Sequence, residues 1–113
     1  MNYFIENHEH CSVITTNVAK LDASNAAELK SELLLLNKNN VNKIVIDLSQ
    51  SKYCDSSGLS SILIANRLCK DANGQFMLSG LQPSVAKMIS IAQLDRVLTI
   101  TKDLPEALNL MAK

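Results

Sequence analysis

KIVIDLSQSKYCDSSGLSSILIANRLCK, residues 43–70, holds the whole fold in miniature. Its first six residues are an apolar run with two isoleucines and a valine, the pattern of a central strand covered on both faces. After a short polar turn, Asp55, Ser56, Ser57 and Gly58 open a helix that runs to about Ala72 and stops at Asn73 and Gly74, a suitable C-terminal cap. A buried strand that feeds a helix must usually be followed by another strand parallel to it.

The flanks repeat this unit. Residues 3–6 (YFIE) and 11–18 (CSVITTNV) are β-branched or aromatic runs around the polar turn NHEH, which predicts an opening hairpin. In the next segment Asn25 and Glu28 have capping-box spacing, and Ala26, Leu29, Leu33 and Leu36 recur at helical intervals. Beyond residue 74, QFMLSG reads as a strand. Pro83 starts a third helix with Val85, Met88, Ile89 and Ala92 as its apolar stripe. RVLTI is the last strand, and Asp103, Pro105 and Glu106 open a fourth helix with Ala107, Leu108 and Met111 inward. The expected order is β-β-α-β-α-β-α-β-α: a single α/β domain over residues 1–113, with a mixed central sheet of about five strands and about four helices. Functional groups of such sheets gather beyond the carboxyl ends of the strands. Two loops fit that place, AKLDAS (residues 19–24) and KYCDSSG (residues 52–58).

Composition narrows the function. With 113 residues, 47% apolar and 19% charged, the chain is sized for one ordinary globular core. Eleven basic residues balance eleven acidic ones with no basic run, which disfavours nucleic acid and anionic membranes as partners. The greasy segments are interrupted far short of the ~20 apolar residues of a membrane span, and the first ten residues do not resemble an export signal, so a cytoplasmic location is expected. Cys11, Cys54 and Cys69 are odd in number and widely spaced, which reads as buried thiols. His8 and His10 read as a solvated turn, since a metal site would need further ligands.

Attention therefore falls on residues 55–58. One of Asp55, Ser56 or Ser57 must cap the helix, yet a cap needs a single residue, and a first-turn glycine does not serve helix stability. Gly58 suggests that another molecule approaches the backbone there. A nucleophilic serine would need a general base, and both histidines lie in the first turn region. No phosphate-binding glycine motif or cofactor loop occurs, so neither a catalytic residue nor a cofactor is assigned. Phosphorylation suits the place, because a serine at a strand-to-helix turn is exposed and helix N–H groups tolerate the added charge. At 100° per residue, Ile62, Ile64, Ala65, Leu68, Cys69 and Ala72 form the expected core arc of this helix, while Leu59 and Leu63 share the opposite arc with Asn66, Arg67 and Lys70. Those two leucines would anchor a partner if exposed.

The D-S-S-G-L of residues 55–59, the L-D at Leu21 and Asp22, and LSGLQPSVAKMISIAQLDRVLTI (residues 78–100) together resemble the STAS domains of the anti-sigma factor antagonist family over nearly the whole chain. The resemblance implies the STAS fold and partner switching without enzymatic activity. Ser56 would be the residue phosphorylated by a serine kinase that doubles as the anti-sigma factor, and Ser57 would support the turn. Asp22 would help contact the kinase, with Ala23, Ser24, Asp55, Gly58, Leu59, Leu63, Asn66 and Arg67 completing the docking surface. The unmodified protein would bind the kinase, the modified one would let go, and a PP2C-type phosphatase would reset it. The rival expectation is a scaffold subunit of a lipid-transport or stressosome-like complex in which Ser56 is never modified. Where the family pattern reads G-E-L-D, this chain has Ala19, Lys20, Leu21 and Asp22, and Cys54 replaces a larger apolar residue.

Overall fold

The computed structural model describes residues 1–113. Its sheet forms around β4 (Lys43–Asp47), whose alternate side chains are buried on opposite faces: Ile44 and Ile46 on one, Val45 on the other. The sequence-based expectation of a doubly covered central strand is met. The opening hairpin pairs β1 (Tyr3–Asn7) antiparallel with β2 (Ser12–Thr16), and β2 lies parallel to β4. With β6 (Gln75–Ser79) and β7 (Thr99–Thr101) added in parallel, the five-stranded order is β1-β2-β4-β6-β7. Two further short strands, β3 (Lys20–Leu21) and β5 (Tyr53–Cys54), make a separate parallel pair that the sequence reading left inside loops.

Helices α1 (Ala26–Lys38), α2 (Ser56–Asp71) and α3 (Pro83–Ile91) bury Leu29, Leu33, Ile62, Ala65, Val85 and Ile89 in the larger core with Ile44, Ile46 and Leu78. On the other face α4 (Leu104–Met111) alone covers Val13, Val45 and Met77 with Ala107 and Met111. A fully buried leucine or isoleucine contributes about 1.5–3 kcal/mol, so the three-helix side carries most of the apolar stabilisation.

Local chemistry departs from expectation at four points. Asn25 stands before α1 but does not cap it through its side chain; the amide accepts from the Asp22 N–H (3.0 Å) and donates to the Lys20 carbonyl (2.8 Å), while Glu28 accepts from Asn2 (2.9 Å). At the end of α2 the left-handed residue is Asn73 (φ 60), and Gly74 is there for space, because a Cβ would lie 1.8 Å from the Asn42 carbonyl oxygen. Ala92 ends α3 exposed instead of joining its stripe. The expected strand RVLTI shrinks to Thr99–Thr101, since Arg96 closes a 3-10 turn (Leu94–Arg96) and the N–H groups of Val97 and Leu98 both donate to the Leu94 carbonyl.

Candidate functional site

The β3–β5 pair binds the two loops into one structure. Lys20 pairs with Tyr53 and Leu21 with Cys54; the N–H groups of Lys52 and Tyr53 reach the Ala19 carbonyl at 2.8 and 3.2 Å, and the Asp55 N–H donates to the Leu21 carbonyl at 3.1 Å. Behind them Ser51 Oγ donates to the Val18 carbonyl and lies 2.7 Å from Thr16 Oγ1, tying the turn after β4 to the end of β2. A Cβ on Gly58 would sit 2.6 Å from the Leu21 carbonyl oxygen and 2.8 Å from Cys54 Sγ. The absent side chain of Gly58 thus admits this chain's own backbone, and the expectation that it opens a path for another molecule is corrected by its burial.

Asp55 is the cap. Its Oδ1 accepts from the Gly58 N–H at 3.0 Å and its carbonyl from Leu59 (2.9 Å), so the N–H groups of Ser56 and Ser57 keep no partner within the chain. Ser56 is exposed and Ser57 half-buried, and neither hydroxyl makes an intramolecular hydrogen bond. Within these four residues the work is divided: Asp55 caps, Gly58 packs, and the Ser56 hydroxyl is left over.

The neighbouring loop is held by its own bonds. Asp22 Oδ1 accepts from the Ser24 hydroxyl (2.6 Å) and the Ser24 N–H (3.0 Å), and these bonds hold the Asp22 carboxyl below the usual carboxylate range. Tyr3 donates its hydroxyl to the Asn25 carbonyl at 2.7 Å; burial pushes this phenol up to about 12, with Glu28 and Asp22 adding to the shift. Asp22 is half-exposed, and Ala23 and Ser24 are exposed beside the start of α2.

Between α1 and α2 runs a shallow groove of about 400 Å³ lined by Ala23, Ala27, Lys30, Ser56, Ser60 and Ile64 among others. Ser61 fixes its width by donating to the Ala26 carbonyl at 2.9 Å. A second depression, lined by Ser60, Leu63, Ile64 and Arg67, continues it along α2. The structure thus brings Ala23, Ser56 and Ser57 into one groove, with Leu63 and Arg67 at its extension. It does not bring out Leu59, which is 9% exposed and part of the core, or Asn66, which is 7% exposed with Oδ1 unpartnered. The sequence projection was rotated: Ile62, Ala65 and Cys69 are inside as expected, but Ile64 and Leu68 are half-buried and Ala72 is exposed. Close packing of Gly58 on Leu21 and of the rest of α2 on α1 and the sheet fixes which side faces in, and hydropathy alone does not register it. The groove also takes Ser60, Ala27 and Lys30, which no motif marks, and Ile64, which the helical projection places in the core. Spacings of 56, 60 and 64 on α2, and of 27 and 30 on α1 with Ala23 in the turn before it, are the available signal once both core faces are known.

Elsewhere the thiols are buried and the histidines pair only with neighbouring glutamates. The three cysteines are free and buried; burial pushes Cys54 up to about 12, with Asp55 adding, and Cys69 up to about 11 against a smaller lowering by the Ile44 backbone. His8 Nε2 lies 2.7 Å from Glu6 Oε1, and no group of three or more His, Cys, Asp or Glu residues could hold a metal ion. No helix is long and apolar enough to cross a membrane.

A sheet of this order with the serine-led helix beside the Asp22 loop defines a known class. Residues 4–107 match the model of the STAS domain, and the chain belongs to that family. It is 26% identical over 72 residues to BtrV of Bordetella bronchiseptica, which is named as an anti-sigma factor antagonist; the match covers 64% of this chain and 62% of that relative. Among solved structures, TM1081 of Thermotoga maritima, also titled an anti-sigma factor antagonist, superposes with TM-score 0.88 at 23% identity over 98% of this chain and 95% of that one. The anti-sigma factor antagonist SpoIIAA in its unphosphorylated form gives 0.83 at 19% identity, covering 97% and 96%. The expected STAS fold is thereby established.

Proposed function

We propose that the protein is a non-enzymatic, cytoplasmic anti-sigma factor antagonist whose partner is exchanged on phosphorylation of Ser56. The observation that carries this reading is the exposed Ser56 hydroxyl, free of intramolecular bonds at the start of α2, with unpaired N–H groups beside it. A serine kinase that is itself the anti-sigma factor docks on the surface from Asp22, Ala23 and Ser24 to Ser57, Leu63 and Arg67. It transfers the γ-phosphoryl group of ATP: the Ser56 Oγ–P bond forms, the bond to the β-phosphate oxygen breaks, and the serine proton passes to the kinase base as ADP leaves. The product carries about −1.5 to −2 charges at neutral pH, which the amino end of α2 favours by roughly 0.3–1 kcal/mol. The fold therefore tolerates the group. A partner seated there meets a dianion beside Asp55, and every ~1.4 kcal/mol of repulsion and desolvation weakens it tenfold. A PP2C-type phosphatase removes the group and restores binding.

The test is incubation with the cognate kinase and ATP, followed by mapping of phosphate by mass spectrometry and recovery of the kinase by Ser56→Ala and Ser56→Asp variants. Phosphate on Ser56 and loss of recovery only with Ser56→Asp are expected. Phosphate confined to Ser57, or equal recovery by both variants, overturns the reading, and equal recovery favours a constitutive scaffold in a lipid-transport or stressosome-like assembly.

A further inference from the structure

The two sides of α1 differ in charge. Glu28 and Glu32 turn toward β1, where they border a depression with Met1, Tyr3 and Phe4. Lys30 turns the other way, into the groove that holds Ser56, Ser57 and Ser60. It is exposed and has no carboxylate within ion-pair distance; the ion pairs of the molecule are His8 with Glu6 and His10 with Glu9. The floor beside it is built from Ala23, Ala26 and Ala27, so nothing bulky obstructs the stem. Long helical side chains lean toward the amino end of their helix, which carries the Lys30 ammonium toward the start of the groove. The Ser61 to Ala26 bond holds the two helices at a set spacing. An uncompensated cation and an unbonded hydroxyl thus share one small-walled groove.

We infer that Lys30 is the built-in counter-ion of a phosphoryl group on Ser56. The inference rests on the reading of Ser56 as the phosphoacceptor and adds a residue from a different helix to the modified state. A lysine ammonium pairs with phosphate as a mobile point charge and needs no fixed fork geometry, which suits a flexible side chain reaching across a groove. The carboxylates of the neighbourhood, Asp55 beside Ser56 in the chain and Asp22 on the adjoining loop, act in the opposite sense. Lys20 on β3 and Lys52 just before β5 are the other cations of the loop pair. In the unmodified protein the Lys30 ammonium is available to a partner's carboxylate; modification withdraws it. One side chain then serves both states.

The experiment installs phosphoserine at position 56 during translation, so that no kinase is needed, and follows its second ionisation by phosphorus NMR. A nearby cation favours the dianion, so the parent protein should titrate about half a pH unit below Lys30→Gln. Lys30→Arg should retain the low value, and Lys38→Gln, at the far end of α1, should match the parent. Equal titration of the parent and Lys30→Gln, or an equal change in Lys38→Gln, overturns the inference while leaving Ser56 as acceptor untouched. Failure of a kinase to modify Ser56 would overturn the earlier reading and would not alter this titration.

Discussion

Two helices in this molecule begin with an aspartate cap, and they begin differently. At α4, Asp103 accepts from the Glu106 N–H (3.0 Å) and Glu106 returns the bond to the Lys102 N–H (3.0 Å), with Pro105 in the first turn. Those side chains serve the helix itself: two carboxylates that accept from N–H groups at its start, and a proline whose missing N–H costs nothing. At α2, Asp55 makes the same 3.0 Å bond to the Gly58 N–H, but nothing returns it, and the residues between are two serines with no bonds of their own. Gly58 weakens the helix and is required because Leu21 lies against it. The α4 start is explained by stability alone. The α2 start carries a surplus, and that surplus is the exposed hydroxyl of Ser56.

The difference between the two helix starts should show most strongly at Gly58. Alanine there is the better helix former by about 1 kcal/mol, yet its Cβ would meet backbone at 2.6 Å, so overpacking should leave Gly58→Ala less stable by about 1–3 kcal/mol in urea unfolding. A stabilised variant would show that the loop pair yields easily and that the glycine answers to something else. A smaller effect sharpens the contrast between the caps. Asp55→Ala and Asp103→Ala should each lose about 1 kcal/mol in the same measurement, while Ser56→Ala should stay within about 0.5 kcal/mol of the parent. A large loss at Ser56 would return its hydroxyl to the structural account.

The smallest effect concerns the loop opposite. The Asp22 carboxyl is held below its ordinary range by the Ser24 side chain and N–H, so its folded-state value is depressed. Any stability it contributes is present above the ordinary carboxylate range and is lost as pH falls through the depressed value. Ser24→Ala should move the Asp22 titration, followed by NMR of its carboxyl carbon, back toward the ordinary range. An unmoved titration would mean that the 2.6 Å hydroxyl bond is not its cause.

How far each feature could be read from sequence follows from the range of the interaction behind it. Helix starts at Pro83 and Asp103 and the buried run of β4 depend on neighbours within a few positions, and they stand where the pattern placed them. The β3–β5 pair depends on residues more than thirty positions apart, and two-residue strands carry no periodicity to detect. For the same reason the projection of α2 differs from the structure at Leu59 and Ile64: hydropathy ranks side chains, whereas the direction they face is set by how the whole helix packs on α1 and the sheet.

Consecutive residues alone settle the alternation of strands and helices and place a cap among Asp55, Ser56 and Ser57, because local hydrogen bonding and apolar spacing are written in them; that Asp55 takes the cap and leaves the Ser56 hydroxyl free is a fact of the folded chain. Only the tertiary structure decided that the Asp22 loop lies against that cap, that Gly58 is there for Leu21, and that Lys30 and Ile64 share a groove with Ser56. Those facts depend on how two helices and two loops distant in the chain pack together, and packing is resolved only when the whole core closes.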